Sequence, residues 1–169
     1  MKKHHLLIAY SLFVLLIAPV FLKAQSSAKR PSIMVTGEVI TPLDLTVDDL
    51  QQFKQTEVVR KDKDGKDHTY SGVLLSAILQ KAGVTLGKDL RGKNLTKYAL
   101  VDASDGYQVI FALAELDKDF TDRVIILATQ IDGKPLAAGD GPFRIIVQDE
   151  KKPARCIRLV TGIKIVFAK

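Results

Sequence analysis

The stretch Tyr70-Ser71-Gly72-Val73-Leu74-Leu75-Ser76-Ala77-Ile78-Leu79-Gln80-Lys81-Ala82-Gly83 sets the frame for the whole chain. Leu74, Leu75, Ile78, Leu79 and Ala82 recur at three and four residues, which puts them along one face of a helix. Ser71 stands where a hydroxyl can cap the first turn, and Gly83 stands at the left-handed position that ends a helix. Upstream, Asp64-Gly65 lies between Lys61-Asp62-Lys63 and Lys66-Asp67-His68, the pattern of a tight hairpin turn, with Val58 and Val59 in an extended arm. Thr46-Val47-Asp48-Asp49 has the spacing of a capping box and predicts a short helix, with Leu50 and Phe53 on one face, ending near Lys54. Leu43-Asp44-Leu45 alternates before it. Ile33, Val35 and Gly37 alternate with Ser32, Met34 and Thr36 in a first strand ending near Val39.

Downstream of the helix the period changes to two. Strands are predicted over residues 98–103, 107–111, 124–130, 143–147 and 157–167, with a brief helix over 113–116. Asp105-Gly106, Asp132-Gly133 and Gly139-Asp140-Gly141 supply turn chemistry between them. With no internal repeat and no linker composition, the economical reading is one α+β domain over residues 32–169 with a mixed, mostly antiparallel sheet.

The N-terminus has a different character. Met1-Lys2-Lys3-His4-His5 is cationic, and residues 6–22 carry no charge, the order of a secretory signal. Small residues follow at Ala24, Ser26 and Ser27, so cleavage is expected after Ala24 or Gln25, giving a signal over residues 1–25 and a polar leader over 26–31. The absence of cysteine there excludes a lipoprotein. An uncleaved anchor is the competing reading, since about 17 apolar residues lie at the lower edge of a membrane span, and Pro19 argues against it. The expected product is periplasmic or secreted, with no membrane association after cleavage.

Loss of Lys2, Lys3 and Lys23 takes the net charge from +6 to about +3. So small a charge, interleaved with acids, gives no clustered basic face for nucleic acid. The chain has one cysteine, Cys156, which excludes an intramolecular disulfide and a zinc-type cysteine cluster. Flanked by Ile157 and near Leu159, it reads as a small buried hydrophobe. Stability therefore comes from an apolar core, for which about 145 residues suffice. His68 is the single histidine beyond the signal, so a histidine-rich metal site is excluded, and no serine sits in a nucleophile-elbow context. Beside a charged hairpin, His68 reads as a surface residue.

Five segments in order carry a resemblance: Tyr70-Ser71-Gly72-Val73-Leu74-Leu75 with the helix closing at Gly83; Ala103-Ser104-Asp105-Gly106-Tyr107; Ile126-Leu127-Ala128 with Asp132-Gly133-Lys134-Pro135-Leu136; Gly141-Pro142-Phe143-Arg144-Ile145-Ile146-Val147; and the closing Ala154-Arg155-Cys156-Ile157-Arg158-Leu159-Val160-Thr161-Gly162-Ile163. Over residues 33–167 the chain resembles the sulfite-oxidase-type molybdopterin-binding oxidoreductase domains. The resemblance implies that family's fold, a pyranopterin with its phosphate buried in the domain, and a molybdenum held by the dithiolene plus one protein thiolate. That thiolate belongs between the first helix and the aromatic-x-Gly-Val. Here the stretch is residues 54–69, and it contains no cysteine, so the soft ligand is missing.

The resemblance places phosphate contacts in the C-terminal third, where Arg144, Lys151, Lys152, Arg155 and Arg158 cluster. Tyr107, Arg144, Lys152, Arg155 and Arg158 are the candidate cofactor-binding residues, with no catalytic residue and no metal ligand assigned. Arg155 and Arg158 are three apart, so in a regular strand they face opposite sides, and solvated basic residues are the alternative reading. The first functional expectation is an exported module that binds a small anionic, pterin-like ligand or a periplasmic protein partner without redox chemistry of its own. Molybdopterin is the cofactor the resemblance allows, and none is otherwise expected. The alternatives are a genuine molybdopterin oxidoreductase whose metal is held by the dithiolene alone or with an oxygen ligand such as Asp62 or Asp64, and a purely structural domain with a filled cleft.

Overall fold

The computed structural model describes residues 30–169. The expected signal over 1–25, and all of the expected leader except Arg30 and Pro31, lie outside the described residues.

The chain begins with β1 (Ser32–Gly37) and β2 (Leu43–Thr46), followed by α1 (Val47–Gln51). The capping box at the start of α1 forms: Thr46 Oγ1 accepts from Asp49 N–H at 3.3 Å and the Asp49 carboxylate accepts from Thr46 N–H at 2.9 Å. The helix stops earlier than predicted. The Gln55 side-chain amide donates to the carbonyls of Leu50 and Phe53, satisfying the last turn and releasing the chain into β3 (Gln55–Lys61).

β3 and β4 (Asp67–Leu74) form the predicted hairpin. The strand then runs further than the local signal suggests, and α2 (Leu75–Lys81) begins at Leu75 with no side-chain cap. Ser71 is therefore not a helix cap. It lies opposite Glu57 on one side and Gln130 on the other, and two flanking ladders outweigh a single capping bond. Gly83 ends α2 at φ +72°, as expected.

The remaining strands are β5 (Lys97–Ala103), β6 (Gln108–Ala112), β7 (Ile125–Ile131), the short β8 (Lys134–Pro135), β9 (Arg144–Val147) and β10 (Val160–Phe167). The brief helix expected near residue 113 is a 3-10 turn over Leu113–Glu115. The strands make two sheets. One has the order β2-β1-β10-β5-β6, and the other β3-β4-β7-β8, with β9 also paired to β7. The β1–β10 ladder is parallel, and the other ladders among the described residues are antiparallel. The inner faces of both sheets and the buried face of α2 share one core that includes Ile33, Val101, Ile163, Val73, Ile78 and Ile126. This is the expected α+β class.

The last strand begins at Val160 rather than at Ile157, because residues 157–160 cross from one sheet to the other. Ile157 C=O accepts from Ile145 N–H at 2.8 Å beside β9, and Val160 N–H donates to Phe143 at 3.0 Å before β10 joins the first sheet. At the corner Leu159 takes φ +54°, a conformation that side chains other than glycine seldom adopt.

Candidate ligand-binding cleft

The crossing segment, the β3–β4 hairpin, the turn before β6 and the 137–141 turn enclose a cleft of about 700 Å³, within the range of small-molecule sites. Of the sequence candidates, Tyr107, Arg144, Lys152 and Arg158 line it. Arg155 does not. Its guanidinium donates to Glu115 at 2.9 Å and to Glu150, and lies 4.8 Å from the Phe111 ring centroid, so it ties the 3-10 turn at Pro153–Arg155 to β6. Arg155 and Arg158 are not set on opposite sides of a strand, since neither lies in one, yet their side chains do separate.

Arg144 is the centre of the floor. Its side chain is 9% exposed, yet it carries a full charge into the interior. Nη1 donates to the Tyr70 hydroxyl at 2.9 Å, and that hydroxyl donates to the Asp62 carboxylate. Burial, with the Asp62 contact second, pushes the Tyr70 phenol far up, so it stays a neutral donor. Nη2 makes no hydrogen bond among the described residues, and its carboxylate neighbour Asp62 is 3.9 Å away. The buried Nε of Arg144 also lacks a partner. A buried guanidinium left short of acceptors favours an incoming anion.

Asp140 bridges the two cleft arginines. One carboxylate oxygen is 3.2 Å from Arg158 Nη1, and the other 3.7 Å from Arg144 Nη1. No pattern in the chain foretold this pairing, because Gly139-Asp140-Gly141 reads locally as a turn and nothing else. Tyr107, half exposed, donates its hydroxyl to Ala154 C=O at 3.1 Å and so holds the turn before β6 against the basic segment.

His68 is not the free surface residue its neighbourhood suggests. Its side chain is 21% exposed and clamped between two carboxylates, with Nδ1 2.6 Å from Asp132 and Nε2 3.0 Å from Asp64. The hydrogen bond to Asp132, then that to Asp64, raises its pKa to about 9, so the imidazolium is the resting form. The cleft rim thus carries Lys63, Lys152, Arg158 and His68 over the buried Arg144, against Asp62, Asp64, Asp105 and Asp140. The balance tips positive.

Cys156 also faces this cleft, but as a thiol. It is 4% exposed and accepts a hydrogen bond from Val147 N–H at 3.5 Å. Burial pushes its pKa up, against the opposing Val147 contact and the charges of Arg60 and Arg144. Among the described residues no three His, Cys, Asp or Glu side chains are arranged to hold a metal ion.

The family model for the oxidoreductase molybdopterin binding domain matches residues 22–167, and the chain belongs to that family. Among solved structures, the sulfane dehydrogenase SoxCD from Paracoccus pantotrophus superposes with a TM-score of 0.62 at 19% identity, over 80% of this chain and 38% of that one. That likeness is one of fold, and this chain spans little more than a third of that chain's length. No curated protein matches the chain.

The family's cofactor has an anionic part and a metal part, and these residues fit the two differently. Arg144 with its unfilled donors, together with Arg158 and Lys152, suits the anionic part. The metal part meets no thiolate: residues 54–69 lack cysteine, and Cys156 is a buried, protonated thiol. The oxygen candidates are engaged too, Asp62 by Tyr70, and Asp64 by His68 and by Lys66 N–H at 3.0 Å.

Proposed function

We propose that this chain is an exported binding module of the molybdopterin-binding fold, whose cleft receives a small anionic, pterin-like ligand through Arg144, Arg158, Lys152 and Tyr107. It performs no molybdenum redox chemistry of its own. The observation that carries this reading is the convergence of two distant segments on one cleft. The hairpin in which the family's thiolate belongs contributes Asp62, Asp64 and His68, and the basic C-terminal third contributes Arg144, Lys152 and Arg158. The same cleft therefore keeps the anion donors, while its hairpin offers no cysteine and its one sulfur is the buried thiol of Cys156.

Protein purified from its native compartment is the sample for the test. Elemental analysis for molybdenum, beside a fluorescence assay for oxidised pterin, is expected to find molybdenum far below one equivalent. Arg144→Ala and Arg158→Ala are each expected to weaken retention of any pterin found. Metal and pterin both near stoichiometric would overturn the binding-module reading in favour of an oxidoreductase with a non-cysteine ligand.

A further inference from the structure

We infer that the Asp140 carboxylate is a built-in competitor for the anion, and that ligand enters by displacing it from Arg158 and Arg144. This rests on the proposed reading of the cleft as an anion site. The two oxygens of Asp140 each face a different arginine, at 3.2 Å and 3.7 Å, so the carboxylate spans the gap that an incoming oxyanion would fill. The compensation is incomplete, since the buried Nε of Arg144 has no hydrogen-bond partner and Nη2 has, among the described residues, only a long ion pair with Asp62 at 3.9 Å.

The carboxylate can leave without disturbing the fold. Asp140 is held through its backbone, with N–H donating to Ala137 C=O at 2.8 Å and C=O accepting from Leu159 N–H at 3.1 Å. Its side chain is 29% exposed and has solvent to rotate into. The second bond also pins the strained corner at Leu159, so the position of Arg158 next to it does not depend on the ion pair.

Asp140 then acts as a specificity threshold. A ligand must outbid a tethered carboxylate, which already enjoys a high local concentration. A monocarboxylate offers no more charge than Asp140 does and fails. A dianionic tetrahedral group such as a phosphate monoester carries more charge and more acceptor oxygens, and it can engage both arginines while using the idle Nη2 donor.

Titration calorimetry with inorganic phosphate and with acetate, on the folded chain at physiological ionic strength, tests this. Asp140→Asn is expected to bind phosphate about five- to tenfold more tightly than the unaltered chain, the gain from removing a partly exposed competing charge. Asp140→Ala should do the same while leaving the backbone contacts in place, which guards against a misplaced amide. Asp105→Asn removes a cleft carboxylate that pairs with neither arginine and should change affinity less than about twofold, the share due to general charge. Acetate should bind measurably only to the Asp140 variants. Phosphate binding to the unaltered chain with no gain in either Asp140 variant would overturn the competitor and leave the anion site standing. An equal gain in Asp105→Asn would also overturn it. No phosphate binding by any of these proteins would remove the anion-site reading and the competitor with it.

Discussion

At the scale of single residues, Gly72 and Gly106, which the family resemblance puts at turns entering a helix and a strand, act by different means. At such turns glycine is expected to supply a positive φ, and of the two only Gly106 does. Gly106 has φ +83°, and a Cβ there would meet nothing within 4 Å, so its demand is conformational alone. Gly72 lies inside β4 where the register with β7 shifts, and a Cβ would come within 2.2 Å of Leu127 O. Its demand is space, against a backbone atom that cannot swing aside. Gly106→Val is therefore expected to cost about 1–2 kcal/mol of stability from the left-handed conformation. Gly72→Ala, the smaller change chemically, is expected to cost more, about 3 kcal/mol, because the strands must part to admit the methyl group. Chemical denaturation of both variants checks the order, and a Gly72→Ala protein as stable as the parent would mean that β4 and β7 do not approach as described.

At the scale of elements, the β3–β4 hairpin shows what sequence can and cannot reveal. Asp64-Gly65 between charged arms marked the turn, and the adjacent Val58 and Val59 marked the arm, since both signals are local. The place of His68 was hidden, because Asp132 comes from the β7–β8 turn and meets it only after the sheet has formed. Ser71 misled for the same reason: its capping chemistry is local, while the ladders that claim it are not. The anion candidates were legible as a basic cluster, yet only the crossing at 157–160 separates Arg158, in the cleft, from Arg155, outside it. Because His68 joins the hairpin tip to the β7–β8 turn, the hairpin carries a pH dependence whose sign is fixed. The folded pKa of about 9 lies above the ordinary 6.5, so the clamp's stabilisation is complete below about pH 6.5 and is lost as the pH rises through about 9. Between those limits the thermal midpoint is expected to fall with pH in the parent, and to fall less in His68→Gln. NMR titration of the imidazole gives the direct reading, and a midpoint near 6.5 would show that the clamp does not form in solution.

At the scale of the whole molecule, the two sheets share one core, and this decides how the cleft fails. The cleft takes its rim from the hairpin of one sheet and from the segment that crosses to the other, so it exists only while both sheets are packed together. Ile163 is 1% exposed in β10, the central strand of the first sheet, where it faces Val35 on β1 and Val101 on β5 in register. Truncation to alanine there removes apolar contact and leaves a cavity, a loss of about 2–5 kcal/mol. Were the sheets independent, the loss would stay in the first sheet, and the β4 and β7 amides of the second would keep their protection. Because Val73, Ile126 and Ile163 belong to the same buried cluster, the loss is expected to spread through it as a unit. Hydrogen exchange of Ile163→Ala should accordingly show the slowest amides of β4 and β7 weakened by the same free energy as those of β5 and β10, with one thermal transition by near- and far-ultraviolet circular dichroism. Two separated transitions, or a second sheet that keeps its full protection, would divide the molecule at the 157–160 crossing and make the cleft a hinge between two units.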